Sequence, residues 1–141
     1  MLYVTDMHAL NVPMPDTDGD WHASCLDWSN VRVAESDGSL FGDDGIVVAR
    51  VRGEERPCAN HARACLDMMA DGSFGSLSGM RRDILNNESY TSWVMACARR
   101  LMSAHPELSE GVDRLMRKEY RMDWVRFLRE MEGGGSHGCE R

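Results

Sequence analysis

Pro57–Gly72, PCANHARACLDMMADG, carries the strongest helical signal in the chain. Cys58, Ala62, Cys65, Leu66 and Met69 fall at i, i+4, i+7, i+8 and i+11. That is one face of a 3.6-residue period, which a strand does not produce. Pro57 suits a first turn, where its missing N–H has no intrahelical partner. Gly72 follows the last periodic residue and can take the left-handed conformation that closes a helix. The spacing therefore predicts a helix over Pro57–Gly72, with Cys65 in the buried stripe and His61 at its edge. Arg63 and Asp67, four apart on the opposite face, can pair, for a few tenths of a kcal/mol.

Upstream of this helix the signals are short. Leu2–Thr5 reads as a strand, and Val31 and Val33 alternate with Arg32 as a strand does. Ile46–Val51, apolar and β-branched, is the best strand candidate. Between them lie loops: Asn11–Asp20, rich in Pro and Asp, and Ser36–Gly45, SDGSLFGDDG, built around Leu40 and Phe41. Trp21–Trp28 is ambiguous: Trp21, Cys25 and Trp28 fit a helical spacing, but the segment is short and follows turn residues. Gly53–Arg56 reads as the lead into the helix.

Downstream the chain is helical. Phe74 and Leu77 should anchor the Gly- and Ser-rich segment after Gly72. A short helix is expected over Met80–Leu85. Asn87 is a plausible N-cap for a helix over Glu88–Met102 with the stripe Tyr90, Val94, Cys97 and Leu101. His105-Pro106 breaks it. A last helical region, Glu107–Met131, carries Leu108, Val112, Leu115, Met116, Tyr120, Trp124, Phe127, Leu128 and Met131, and its pattern allows one helix or two. Gly133–Gly135 should end it. Of the 11 methionines, eight lie after residue 67, on or beside these stripes, where they suit core packing. The expectation is an α+β fold: a small sheet of short N-terminal strands packed on a C-terminal bundle of about four helices. Residues 1–132 are expected to make one domain, with an acidic β and loop part (1–56), a helical part (57–132) and a flexible tail (133–141).

Composition narrows the function classes. No run of about 18 apolar residues is present, so no helical membrane span is expected. MLYVTDMHAL lacks the basic and apolar regions of a secretory signal. Five cysteines without framework spacing fit reduced thiols in a cytoplasm. The net charge of -7 is uneven. Residues 1–48 hold nine acids and one base, whereas residues 49–141 are nearly balanced. This acidity argues against direct nucleic-acid binding.

Several constellations have chemistry to weigh. His22 and Cys25, with His61 and Cys65, could form a two-Cys, two-His zinc site if the two pairs met. Either pair could also make a thiolate–imidazole couple for a small thiol-dependent enzyme. A buried core cysteine is the commoner reading. Asp16, Asp18 and Asp20 resemble the start of a calcium loop, but Trp21 replaces the required glycine and Asp27 the usual final Glu. Gly72, Gly75 and Gly79 precede Arg81 and Arg82, so amides and guanidinium groups could receive a phosphate, although no phosphate-loop pattern is present. His137 and Cys139 fall on the tail. No strong catalytic motif occurs, so a non-enzyme without a cofactor is expected. The remaining feature is a polarised surface. Asp16, Asp18, Asp20, Asp43 and Asp44 supply the acidic side, and Arg114, Arg117, Lys118 and Arg121 a basic strip, unless these charges are simply solvated or paired internally.

Three segments, DWHASCLDW (20–28), ESDGSLFGDDGI (35–46) and ANHARACLDMMADGSFGSLSGMRRDIL (59–85), resemble a group of small uncharacterised proteins carried by mobile elements and phages of gut bacteria. The resemblance covers Asp20 to about Trp124. It implies a small accessory protein of a mobile element, of the kind that binds and blocks host proteins. Anti-CRISPR inhibitors are one such class, and an acidic segment suits a nucleic-acid-binding groove. The resemblance carries over no catalytic role. A toxin–antitoxin or regulatory partner protein, docking through the Met-rich helices, is the other non-enzymatic expectation.

Overall fold

The computed structural model describes residues 1–15 and 26–138, with 134–138 as backbone only. The architecture is α+β, a four-stranded mixed sheet with helices. The strands are β1 (Leu2–Val4), β2 (Val33–Glu35), β3 (Ile46–Val51) and β4 (Glu54–Ala59), in the order β2-β1-β4-β3. β1 pairs antiparallel with β2 and parallel with β4, and β3 and β4 form an antiparallel hairpin. Its turn is Arg52-Gly53, with φ of +53° and +88°. Two left-handed residues match the twist of a two-residue hairpin.

The helices are α1 (Asp6–Leu10), α2 (His61–Ala70), α3 (Met80–Asp83), α4 (Thr91–Ala104), α5 (Ser109–Tyr120) and α6 (Met122–Gly138). α2 packs against α1, β4 and α4; α4 packs on α5, and α5 on α6. Most of the expected stripes are core: Val94, Cys97 and Leu101 of α4, Val112, Leu115, Met116 and Tyr120 of α5, and Trp124 of α6 are buried, whereas Tyr90, Leu108, Phe127 and Leu128 are only partly so. Met68, Met69, Met80, Met95 and Met116 fill that core, whereas Met122 and Met131 are exposed.

Several expectations need correction. The helix starts at His61, not Pro57, because Pro57 and Cys58 belong to β4. A proline is compatible with that strand because β1 overlaps β4 at a single register position, Val4 opposite Cys58, leaving most of that edge unladdered. Asn60 caps α2, its side chain accepting from the Arg63 amide at 2.8 Å. Gly72, at φ +80°, closes it, with Gly72 N–H and Ser73 N–H donating to the Met69 and Met68 carbonyls. The second strand lies at Val33–Glu35, displaced from the Val31–Val33 alternation. Asn87 caps a short 3-10 turn, Glu88–Tyr90, ahead of α4. The last region is two helices, broken at Arg121 with φ +51° and ψ −126°. The α6 backbone continues through Gly133–Gly135 to Gly138. No helix among the described residues is long and apolar enough to cross a membrane.

Candidate functional site

α2 is buried on almost every side, from His61 to Met69. In that setting the Arg63–Asp67 pair is not the surface contact its spacing suggests. Arg63 is 0% exposed and the Asp67 side chain 15%. A guanidinium carries five N–H groups in a fixed fork, and here all five have acceptors. Nε–H donates to Asp67 Oδ1 at 2.9 Å. Nη1 donates to the Gly42 and Asp44 carbonyls at 2.8 and 2.6 Å. Nη2 donates to the Tyr3 hydroxyl at 3.0 Å and to Ser39 Oγ at 3.4 Å. The rings of Tyr3 and Phe41 lie 5.1 and 5.6 Å from the guanidinium carbon, adding cation–π attraction. Asp67 Oδ2 accepts from the Tyr3 hydroxyl at 2.7 Å and from Thr5 Oγ1 at 2.5 Å. Burial, then the bond to Asp67, pushes the Tyr3 phenol up to about 12.

This network fixes the acidic loop Ser36–Gly45. Its backbone folds as consecutive turns, with Ser39, Gly42 and Asp44 amides donating to the Ser36, Ser39 and Phe41 carbonyls. Arg63 takes two of its carbonyls from one side. Arg100 takes the Leu40 carbonyl at 2.8 Å and lies over the buried Phe41 ring. Gly45 closes the loop at φ +80°, and its carbonyl accepts from the Asn60 amide at 2.7 Å. The outcome is a rigid backbone with outward carboxylates. The side chains of Asp43 and Asp44 are exposed, and no ion pair among the described residues involves either. Asp16, Asp18 and Asp20 lie outside the described residues. The sequence held one signal for this hub: a lone arginine, flanked by Ala62 and Ala64, in a helix apolar nearly all round.

The basic strip on α5 is largely engaged within the molecule. Arg114 pairs with Glu110 at 2.9 Å and Arg117 with Asp113 at 2.8 Å, both one turn apart. Lys118 Nζ donates to Ser78 Oγ at 2.5 Å. Arg121 alone of the four has no side-chain partner among the described residues. Asp113 also accepts from the buried Trp124 indole at 2.9 Å, tying α5 to α6. Burial pushes its carboxyl up, but the bonds from Trp124 and Arg117 outweigh this and hold it below the usual range.

Of the other candidates, His22 and Cys25 lie outside the described residues. His61 is 0% exposed rather than at an edge. Its Nε2 contacts the Val12 carbonyl at 2.7 Å. A carbonyl only accepts, so this nitrogen carries the hydrogen and does not offer a lone pair to a metal. Cys65 is fully buried, and burial first, then the charges of Glu119 and Asp67, raise its thiol far above the ordinary value. Among the described residues no three His, Cys, Asp or Glu side chains gather as a metal site needs. Asp27, the one residue of the calcium-like pattern that is described, accepts from the Ser29 amide and hydroxyl at 3.0 and 2.5 Å. The Gly79 and Arg81 amides, which the glycine spacing offered to a phosphate, already donate to the two oxygens of Glu119 at 3.0 and 3.1 Å.

The free cysteines give a direct test of this packing. Burial pushes the Cys58 thiol up to about 12 and raises Cys65 and Cys97 as well. Alkylation of these three by iodoacetamide at neutral pH is expected to be at least about a hundred-fold slower in the folded than in the unfolded protein. Peptide mass spectrometry reads each site separately; rapid labelling of Cys65 in folded protein would contradict its burial.

No protein-family model, curated protein or solved structure matches this chain.

Proposed function

We propose that the protein is a non-enzymatic, protein-binding accessory factor that presents Asp43 and Asp44, with Asp16, Asp18 and Asp20, to a basic groove on its target. The observation that carries this reading is the loop geometry. Arg63 holds the Gly42 and Asp44 carbonyls while Asp43 and Asp44 are exposed and form no ion pair among the described residues. A preorganised charged loop loses little entropy on docking, and complementary charge sets association rate and register. In the finer form of the proposal the groove belongs to a nucleic-acid-binding complex of a host defence system. The carboxylates there stand in for phosphates, as in an anti-CRISPR-type inhibitor from a mobile element. α2, α4, α5 and α6 form the bundle of about four helices that carries the loop. The protein works in the cytoplasm, in keeping with free Cys58, Cys65 and Cys97.

Replacing all five aspartates by lysine tests the reading. Tagged wild-type protein is expected to capture a basic partner from a lysate of the host, and the variant to lose at least about ten-fold in recovery. Circular dichroism should show both equally folded. Undiminished capture by the folded variant would reject the acidic surface as the docking element.

A further inference from the structure

A cleft of about 550 Å³ opens where α3 meets the junction of α5 and α6. Four cationic side chains line it: Arg81, Arg82, Lys118 and Arg121. Two acids, Glu119 and Glu88, also line it. The Glu119 carboxylate is turned to the Gly79 and Arg81 amides. Glu88 is 79% exposed and 3.7 Å from Arg81. Arg81 is tied to Asp123 at 2.8 Å and lies over the Tyr120 ring at 4.6 Å, so it is a fixed wall of the cleft. Among the described residues, Arg82 pairs with the neighbouring Asp83, in an exposed contact that a ligand can replace. Lys118 has a neutral partner, Ser78, and Arg121 has no side-chain partner among the described residues. Among the described residues, Lys118 and Arg121 are thus the two cations of the cleft with no acidic partner within ion-pair distance.

The backbone at Arg121 is a second, independent observation. Its φ of +51° and ψ of −126° are rare for a residue with a side chain, and such strain collects at functional sites. Glycine would make the same turn without strain, so this guanidinium is carried at a cost. A third feature is an apolar recess of about 200 Å³, lined by Phe74, Gly111 and Leu115, which shares Ser78 and Lys118 with the cleft. The volumes suit a small molecule.

We propose that this cleft binds a small organic phosphate, its phosphate between Lys118, Arg121 and Arg82 and its apolar group in the recess beside Phe74. A phosphate carries a charge of about −1.5 to −2 at neutral pH and accepts several charge-assisted hydrogen bonds, which matches three converging cations, one of them in an exchangeable exposed pair, better than a carboxylate does. The acidic loop plays no part, so the site stands apart from the docking surface proposed above.

Phenyl phosphate and inorganic phosphate, titrated by calorimetry and by backbone amide NMR at low salt, are the probes. Phenyl phosphate is expected to bind with a Kd below about 1 mM and at least about three-fold tighter than inorganic phosphate. Shifts should centre on Ser78, Lys118, Arg121 and Gly111. Lys118→Glu with Arg121→Glu should weaken binding at least about ten-fold, whereas Asp43→Lys with Asp44→Lys should leave it unchanged. Arg121→Gly separates ligand binding from a purely structural role: it should melt at a higher temperature, its strain relieved, yet bind phenyl phosphate more weakly. Absence of saturable binding up to about 10 mM would overturn the proposal. So would undiminished binding by Arg121→Gly or by the folded double variant, and equal affinity for the two probes would remove the recess from the site.

Discussion

Arg63→Met is expected to lower folding stability by about 3–5 kcal/mol, close to the whole margin of a marginally stable domain. Two effects oppose each other. Methionine is of similar length and spares the desolvation of a buried cation, which by itself stabilises. Against that, the Gly42 and Asp44 carbonyls lose their donor, the Tyr3 hydroxyl loses one, and Asp67 loses its counter-ion while staying largely buried. Each buried polar atom left unsatisfied costs about 1–3 kcal/mol. The orphaned groups come from α2, β1 and the acidic loop, and one local adjustment does not satisfy them all, so the loss wins. Asp67→Asn added to Arg63→Met should cost less than the sum of the single changes, because the unpaired carboxylate is gone. Urea unfolding measures both, and amide exchange at residues 39–45 should quicken in Arg63→Met before the rest of the chain opens. A loss of under about 1 kcal/mol would mean that the loop is held by its own turns and not by this side chain.

That hub marks the boundary of what sequence pattern conveys. The spacing of Arg63 and Asp67 was legible, and so was their pairing. Their burial was not, because it depends on acceptors supplied by Tyr3, Ser39, Gly42 and Asp44, residues distant in the chain that no local period connects. The same division runs through the fold. β3 coincides with Ile46–Val51 because a β-branched apolar run needs no partner to be recognised. The His105-Pro106 break is where expected, since the constraint before a proline is local. β4 was hidden because EERPCA has no alternation and its proline suits a helix start equally well. The Arg52-Gly53 turn, which lays the segment antiparallel along the whole of β3, and the β1 contact at Cys58 decide for a strand. The basic strip shows the limit for sites. Helical spacing grouped Arg114, Arg117, Lys118 and Arg121, but internal acids take two of them and Ser78 a third, leaving Arg121 at a strained junction that no pattern announces.

Gly45→Ala is expected to cost about 2–4 kcal/mol, from two terms that add. The first is conformational: φ at Gly45 is +80°, which alanine adopts at a penalty of roughly 1 kcal/mol. The second is steric. A Cβ there would lie 2.7 Å from Arg63 Cβ, 3.2 Å from the Trp93 ring and 3.3 Å from Asn60 Oδ1. Arg63 Cβ is fixed to the α2 backbone and Asn60 Oδ1 is the α2 cap, so neither yields without moving the helix start; overpacking of this kind costs about 1–3 kcal/mol. Gly111→Ala gives the contrast. Its Cβ would lie even closer to a neighbour, 2.4 Å from the Phe74 ring, but Gly111 is in the helical region and Phe74 is only partly buried. That ring can swing towards solvent, so the loss should be smaller, about 1–2 kcal/mol, and should fall on the recess beside Lys118 rather than on the acidic loop. Thermal unfolding gives the order of the two. If Gly111→Ala proved the more damaging, the ring of Phe74 would be the rigid element and the hub around Arg63 the one that adapts.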